Sequence, residues 1–329
     1  MTTEILPINE ENVKRCANLL KSGQIIGMPT ETVYGLAGDG TNSEAVKKIY
    51  EVKGRPSDNP LIAHVHKDYD LNKLVYIDFD YVGKLIKAYM PGPLTLVMRT
   101  KNFVCKEAVC GGDTLAVRMP SHEGCQKLLA EADIPIVAPS ANLSKHTSPV
   151  TAIHVFNDLN GKIPAILDGG KCCGGIESTV LDVTSKTPRI LRAGLITKEM
   201  IERIAGECEI ANHLSSDRVR SPGVKYTHYK PKCRTELFEC DDLIGVVTRY
   251  IELVKAGENP YILCQDKVAR KLKGFQILNL GKTGEEIASN LYEKLLFAEN
   301  VCSTLLAVKM DRDDGVYLGI ANRLNKSCG

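Results

Sequence analysis

The chain has 329 residues, of which 43% are hydrophobic and 25% charged, with a formal net charge of +2. This length allows two domains and a sizeable core. The near-neutral charge argues against binding to nucleic acid or membrane through a global positive field. The sequence contains no apolar run of about 18 residues, so we expect no membrane span. The twelve scattered cysteines lack metal-ligand spacing and predict reduced thiols in a cytoplasmic protein.

The N-terminal part of the chain centres on residues 27–64, GMPTETVYGLAGDGTNSEAVKKIYEVKGRPSDNPLIAH. A helix over 9–20 and a strand over 24–28 precede this stretch. We expect it to contain a loop with Gly35, Gly38 and Gly40, a helix that begins near residue 43, and the cationic turn KGRPSDNP. Glycines let backbone approach a ligand, and threonine hydroxyls beside two cations suit a phosphate. The stretch therefore indicates a nucleotide-phosphate site.

Two predicted strands carry polar residues on an inward-facing side. In DTLAVRMP, Arg118 shares one face of the strand with Thr114 and Ala116. An arginine at this position is a poor core residue, so we expect it to face a ligand. In LIAHV, alternate residues likewise share a face, and His64 lies on the face opposite its two neighbours in the chain. A lone histidine on a strand is, however, more often a structural residue.

The remaining elements of this half are predicted from hydrophobic periodicity and capping residues. A polar turn follows APSAN and reaches Pro149, the loop GGKCCGGIEST leads into TVLDV, and PRILRAG carries Arg192. Further helices are predicted over 78–89, 124–132, 151–159 and 197–205. Further strands are predicted over 94–98 and 165–168, in TVLDV and in PRILRAG.

The periodic pattern fails between residues 211 and 236, where six cations accompany only two anions. This segment contains SPGVKYTHYKPKCR. A solvated tether is one interpretation. The other is that Tyr226, His228 and Tyr229 lie over the cleft of the first domain.

Beyond the linker, strands and helices alternate regularly to the end of the chain. Such repeats predict a parallel sheet with helices on both faces. No G-x-G-x-x-G occurs in this half, so its sequence does not support cofactor binding. The chain as a whole is therefore predicted to be α/β.

Several motifs occur in an order that is more specific than any one of them. They are PTETVYGLAGD, KGRPSDNPL, PGPLTLV, LAVRMP, APSAN, the turn from Ser144 to Pro149, ESTVLD and ILRAG. Together they resemble the threonylcarbamoyl-adenylate synthase family with the YrdC-type fold. The resemblance implies a twisted open sheet with flanking helices and a concave cleft over 1–210. It further implies a linker crossing that cleft over 211–234 and a smaller Rossmann-like parallel α/β domain over 235–329, as in the longer members.

The resemblance also implies an activity. Family members condense L-threonine, bicarbonate or CO2 and ATP to threonylcarbamoyl-AMP and pyrophosphate, a nucleotidyltransferase reaction. A separate transferase then forms N6-threonylcarbamoyladenosine at position 37 of ANN-decoding tRNAs. The implied cofactor is Mg²⁺ carried with ATP, and weak tRNA binding is possible. No membrane partner is expected.

The family's residue roles can be carried onto matching positions of this chain. The lysine-arginine and serine-asparagine signature, with the strand arginine, gives the candidate catalytic set Lys53, Arg55, Arg118, Ser140 and Asn142. Positions matching threonine contacts are Thr32, His64, Arg118, Ala138 and Ser178. Positions matching nucleotide contacts are Arg55, Asn59, Thr114, Ser140, Ser148, Arg192 and Tyr226.

The implied chemistry explains why cations are needed. A threonine carboxylate, a carbamate and a polyphosphate repel one another, so a positive, partly dehydrated cleft must bring them together. We expect four cations there, namely Lys53, Arg55, Arg118 and Arg192. The sequence shows no nucleophile paired with a base. Glu31 and Glu177 are possible bases, but alignment and charge neutralisation suffice.

One structural expectation follows from the instability of the product in water. A linker that closed over the cleft would slow hydrolysis of the carbamate and the mixed anhydride. Removal of residues 211–329 should therefore severely lower the product yield. Magnesium should bind the substrate phosphates rather than an all-protein cage.

Two other functions remain possible at this point. One is an RNA-binding module without catalysis, although residues 1–210 hold 24 Lys and Arg against 25 Asp and Glu. The other is a carbamoyl-transfer enzyme, since YrdC-like domains occur in hydrogenase maturation factors. Those proteins usually carry zinc-finger-like segments, and this sequence has no zinc spacing.

Overall fold

The structure, a computed structural model, describes residues 2–211 and 229–329. Tyr226 and His228, and with them most of the predicted linker, lie outside the described residues. The prediction that this segment crosses the cleft therefore stays a prediction.

Eleven strands form the first sheet, in the order β1-β8-β2-β3-β7-β4-β6-β5-β9-β10-β11. The sheet is mixed: β4 and β6 are parallel, whereas β5 and β6 are antiparallel. The strands are β1 (Glu4–Pro7), β2 (Ile26–Met28), β3 (Gly35–Asp39), β4 (Ile62–His64), β5 (Leu94–Arg99), β6 (Thr114–Arg118), β7 (Ile136–Val137), β8 (Ala165–Asp168), β9 (Thr179–Asp182), β10 (Arg189–Arg192) and β11 (Glu209–Ile210).

Six α-helices accompany this sheet, and a 3₁₀ turn spans Leu71–Lys73. They are α1 (Glu10–Lys21), α2 (Ser43–Lys53), α3 (Asp80–Tyr89), α4 (Glu123–Ala132), α5 (Ala152–Leu159) and α6 (Lys198–Ala205). Five of the six begin at a side-chain cap, and α3 is the exception. Thr151, for example, accepts the His154 amide at α5, and Thr197 accepts the Met200 amide at α6. At α2 the cap is Asn42, one residue before the predicted Ser43.

The predicted glycine loop before α2 is wrong, because Gly35 to Asp39 form strand β3. Its glycines serve close packing. A Cβ added at Gly35 would lie 3.0 Å from the Ala138 side chain, and one at Gly38 would lie 3.0 Å from Ile49. The glycines thus let β3 lie between β2 and β7 beneath α2.

The second sheet has four parallel strands in the order β12-β15-β13-β14, as the strand-helix alternation predicts. The strands are β12 (Arg234–Phe238), β13 (Pro260–Cys264), β14 (Ile277–Asn279) and β15 (Thr304–Val308). The helices are α7 (Leu243–Lys255), α8 (Asp266–Ala269), α9 (Gly284–Val301) and α10 (Val316–Cys328).

Helices cover both faces of this sheet. Leu305 and Ala307 of β15 belong to the cluster that contains the buried residues of α9 and α10. Leu306 and Val308 belong to the cluster formed with α7 and α8. Alternate residues of one strand therefore enter different cores, and the predicted fold class is confirmed.

The two sheets share one hydrophobic core, and two glycines show how closely their domains meet. A Cβ at Gly175 would lie 2.3 Å from the carbonyl oxygen of Ala288 on α9. A Cβ at Gly319 on α10 would lie 3.3 Å from the backbone of Ala193. Lys171 also forms an ion pair of 2.7 Å with Glu293. The C-terminal domain is thus packed directly against the loop before β9 and the end of β10.

Candidate active site

An open cavity of about 640 Å³ lies where β4, β6, the turn after β7 and the ends of β9 and β10 converge. Nine predicted site residues line it, including all five predicted threonine contacts. The nine are Thr32, Arg55, His64, Arg118, Ala138, Ser140, Asn142, Ser178 and Arg192.

Arg118 ends β6 with its guanidinium buried in the cavity wall. Its Nη1 donates to Thr32 Oγ1 at 2.8 Å, and its Nη2 lies 2.7 Å from Glu31 Oε1. The latter contact is an ion pair without hydrogen-bond geometry. Glu31 does not line the cavity, so it holds Arg118 from behind and leaves the planar guanidinium able to bind a carboxylate.

His64 lies opposite Arg118 in the parallel pairing of β4 with β6. Burial and the adjacent Arg118 charge lower the pKa of His64 to about 3, so the ring is neutral near pH 7. Its Nδ1 lies 3.0 Å from the Ile62 carbonyl, which accepts a hydrogen bond in the tautomer that carries the proton on Nδ1. The residue is both a satisfied structural histidine and part of the cavity wall.

The structure corrects the expectation that Lys53 is one of the cations facing the cleft. Its side chain is buried behind the cavity, where Nζ donates to the backbone carbonyls of Ser140 and Asn142, the latter at 2.6 Å. Burial and the neighbouring Arg55 lower the pKa of Lys53 well below its ordinary value. Lys53 therefore holds the shape of the turn that presents Ser140.

Asn142 braces the same turn from inside. Its Nδ2 donates to the carbonyls of Leu143 and His146, at 2.8 and 2.7 Å. The turn is thus fixed before any ligand binds. Ser140, which is only partly buried and lines the cavity, is a member of the turn that a ligand can reach.

Arg55 and Asn59 occupy the turn after α2. Arg55 Nη2 donates to the Asn59 carbonyl at 3.0 Å, while its Nε has no partner. The side-chain amide of Asn59 is fully buried and unpartnered at both Oδ1 and Nδ2. Asn59 does not line the cavity, but its amide is available to hydrogen bonding.

The opposite wall is built by Arg192 and Ser178. Arg192 donates to the Ser178 carbonyl at 3.1 Å and to its hydroxyl at 3.2 Å. The Ser178 hydroxyl also lies 2.7 Å from Thr95 Oγ1. These bonds join the predicted threonine and nucleotide contacts in one network.

Glu177 is a poor candidate for a catalytic base. Its carboxylate accepts hydrogen bonds from Ser148 at 2.7 Å and from Arg323 at 3.1 Å. Burial alone would raise the pKa of Glu177, but Arg323, Arg192 and the Ser148 hydroxyl lower it to about 2. Ser148 is itself fully buried behind the lining.

Unsatisfied buried polar atoms cluster at this site. Within residues 2–211 and 229–329, the buried side-chain atoms without a hydrogen-bond partner belong to Glu31, Arg55, Asn59 and Arg118. Buried polar groups in folded proteins almost always have partners. Glu31 and Arg118 Nη2 meet each other in an ion pair, so the polar atoms left for a ligand are Arg55 Nε and the amide of Asn59.

Thr114 is a further predicted contact that does not line this cavity. It lies at the other end of β6, about 13 Å from Arg118 at 3.3 Å per residue. Tyr226 lies outside the described residues. Both roles stay predictions.

Several site residues were not among the predicted contacts, including Thr30, Tyr34 and His146 of the lining. Tyr229 lines the cavity, and Tyr292 and Arg323 of the C-terminal domain lie behind it. The SPGVKYTHYKP motif had marked Tyr229. No sequence signal distinguished Tyr292 or Arg323 from other helical residues.

The described residues contain no group of three His, Cys, Asp or Glu side chains that could hold a metal ion. They also contain no helix long and apolar enough to cross a membrane. All twelve cysteines lie in the described part and none is in a disulfide.

Two family models together match most of the chain. The Sua5_yciO_yrdC model, described as "Telomere recombination", matches residues 18–194. The model described as "Threonylcarbamoyl-AMP synthase, C-terminal domain" matches residues 196–329.

Relatives of known name are similar over the whole length. The chain is 39% identical to a threonylcarbamoyl-AMP synthase of Bacillus subtilis, over 99% of this chain and 96% of the relative. It is 37% identical to one of Pyrococcus abyssi, over 98% and 95%. The crystal structure of P. abyssi Sua5 complexed with L-threonine superposes with a TM-score of 0.91, at 35% identity, covering 99% of this chain and 97% of that one.

Proposed function

The chain belongs to the Sua5–YciO–YrdC family, in the form that carries the Sua5 C-terminal domain, and we propose from this premise that it is a threonylcarbamoyl-AMP synthase. It condenses L-threonine, bicarbonate or CO2 and ATP, and releases pyrophosphate. The observation that carries the proposal is the convergence of Arg55, Arg118 and Arg192 with Ser140 in the lining of one cavity.

The threonine subsite is assigned to the wall formed by β4, β6 and Thr32. Arg118 offers its guanidinium to the substrate carboxylate, and the neutral His64 ring adds no positive charge beside the substrate amine. Thr32 is already oriented by its bond from Arg118. The crystal structure of P. abyssi Sua5 complexed with L-threonine supports threonine as a ligand of this fold.

The nucleotide subsite is assigned to Arg55, Ser140 and Arg192, with Asn59 and Ser148 behind them. Two arginines neutralise the phosphates, and the Ser140 hydroxyl donates to them. The described residues offer no metal-binding cluster of their own. Mg²⁺ would arrive on the phosphates and supply charge neutralisation there.

The reaction needs alignment more than acid–base groups. The threonine amine attacks CO2 to form a carbamate, and a carbamate oxygen then attacks the α-phosphorus while pyrophosphate leaves. Because Glu177 is held ionised by Arg323, it is a weak base. The arginines instead reduce the repulsion among the three anions, and positioning supplies the remaining acceleration.

The product is a reactive mixed anhydride. We propose that a separate transferase uses it to form N6-threonylcarbamoyladenosine at position 37 of ANN-decoding tRNAs, in the cytoplasm. Direct tRNA binding by this chain is not required by the site.

The experiment that tests the proposal measures pyrophosphate release from ATP and bicarbonate, with and without L-threonine. We expect strictly threonine-dependent release in the wild type. Arg118→Ala should lower kcat/KM by about 100-fold or more, since a carboxylate would lose its bidentate partner and Glu31 would remain as an unpaired buried charge.

Arg99→Ala serves as the matched control. Arg99 lies on the neighbouring strand β5, but it is exposed and paired with Asp78 at the surface. Its replacement should leave kcat/KM within about twofold of the wild type. Threonine-independent release by the wild type, or full activity in Arg118→Ala, would contradict the proposal.

A further inference from the structure

Glu177 lies at the contact between the two domains, with partners from both. Its buried carboxylate accepts from Ser148 of the first domain at 2.7 Å. It also accepts from Tyr292 Oη on α9, at 3.0 and 3.2 Å, and from Arg323 Nε on α10, at 3.1 Å. The C-terminal domain thus supplies two of the three side chains that hold a carboxylate adjoining the active-site cavity.

Arg323 is held as firmly as the carboxylate that it binds. Its side chain is fully buried, and its guanidinium also donates to the carbonyls of Ala193 and Gly319. Ala193 directly follows Arg192 at the end of β10. One guanidinium therefore connects the loop that carries Glu177 with the strand that carries Arg192.

After Arg323, Arg192 is the second cation whose charge lowers the pKa of Glu177. Two of its bonds go to the Ser178 carbonyl and hydroxyl, on the cavity side. A buried carboxylate without its ion-pair partner attracts the next available cation. Without Arg323, Glu177 would draw Arg192 away from the cavity or become protonated and release Ser148.

We propose that Arg323 is a positioning residue for nucleotide binding, which neutralises Glu177 from the C-terminal domain so that Arg192 and Ser148 keep the geometry that binds ATP. This inference rests on the proposed function. It gives the C-terminal domain a definite task, because the nucleotide subsite lacks its balancing charge without α10. In the threonine subsite, Arg118 has its own partner, Glu31. Only Ser178, through its bonds from Arg192, links that subsite to Arg323, so the effect on threonine should be the smaller one.

The test uses the full chain and Arg323→Met, which keeps an unbranched side chain but removes the charge. Calorimetry with a non-hydrolysable ATP analogue gives Kd, and the pyrophosphate assay gives KM for each substrate. We expect Kd and the KM for ATP to rise by about tenfold or more, because a buried ion pair is broken. The KM for threonine should change by less than about threefold.

Arg312→Met is the matched control in the same domain. Arg312 is exposed and pairs with Asp314 in the loop before α10. It should bind the ATP analogue as the wild type does.

Two further variants separate positioning from a merely structural role. Adding Glu177→Gln to Arg323→Met removes the stranded charge and should recover much of the lost ATP affinity, since an amide oxygen still accepts from Ser148. Tyr292→Phe removes only a hydroxyl, and should raise the KM for ATP by about threefold, in the same direction. It keeps the test decisive if Arg323→Met does not fold.

Wild-type ATP affinity in Tyr292→Phe and in every folded Arg323 variant would overturn the inference. So would equal losses for both substrates, or a loss that Glu177→Gln does not relieve. A wild type without threonine-dependent pyrophosphate release would instead refute the proposed function. Calorimetry with the ATP analogue would still report on Arg323 in that case.

Discussion

Lys53 shows how a residue can be essential to a site without facing its ligand. Its ammonium donates to two backbone carbonyls of the turn after β7, and Asn142 braces that turn from within. A compact ammonium with three donors suits this task better than a planar guanidinium does. The cations facing the cavity are therefore Arg55, Arg118 and Arg192.

Because Glu177 is ionised in the folded protein, we predict that the free energy of unfolding falls at acidic pH. Its folded pKa of about 2 lies below the ordinary 4.5, so its contribution is fully present above about pH 4.5 and is lost as the pH falls toward 2. The shift corresponds to roughly 3 kcal/mol in the free energy of unfolding. The groups that face it are Arg323, Arg192, Tyr292 and Ser148.

Denaturant unfolding of Glu177→Gln between pH 7 and pH 3 checks this prediction. The variant should be less stable than the wild type at pH 7, and the difference should shrink as the pH falls. Glu10→Gln, which removes an exposed carboxylate paired only with Lys14, should run nearly parallel to the wild type. A constant difference for Glu177→Gln would contradict the prediction.

At the scale of elements, glycines decide how closely backbones approach. Gly35 and Gly38 place β3 against β7 and α2, where any side chain would displace a core residue. Gly175 has a φ of +70° and faces the backbone of α9. The same residue type was predicted to serve ligand approach at β3, but in the structure it serves packing.

Gly175→Ala should weaken the contact between the domains. Its methyl group would lie 2.3 Å from the Ala288 carbonyl, and the positive φ adds strain. We expect a loss of about 2 kcal/mol or more in the free energy of unfolding, with a raised KM for ATP because Glu177 follows two residues later. Gly170→Ala, also at positive φ but with open space around its Cβ, is the control and should keep the wild-type KM.

At the scale of the whole molecule, the two domains form one site. The core cluster around Tyr229 and Tyr292 is continuous across them, and their rings stack with centroids 5.3 Å apart. A buried arginine and a buried tyrosine from α10 and α9 balance the carboxylate of the first domain. The C-terminal domain is thus part of the active-site framework.

Removing residues 211–329 should therefore abolish most product formation. The truncated chain would lose Tyr229, Tyr292 and Arg323 and would leave Glu177 without its main cation. We expect at least about a 100-fold loss in pyrophosphate release. Circular dichroism and a threonine-binding measurement would establish whether residues 1–210 remain folded, and full activity from a folded fragment would contradict this prediction.

The sequence by itself determined the fold class, the family and nine of the residues that line the cavity. Strand and helix periods are local properties, and ordered motifs such as KGRPSDNPL and APSAN identify the positions that carry them. This is why Arg118, Ser140 and Ser178 could be assigned to the site before the structure was known.

Only the tertiary structure decided which way each charged side chain turns and what lies behind it. Local pattern could not show that Lys53 binds backbone carbonyls, that glycines 35 and 38 lie in a packed strand, or that Arg323 reaches Glu177 across 146 residues. These outcomes depend on contacts between segments distant in sequence. Burial makes each such contact obligatory, since a charge taken out of water must find a partner.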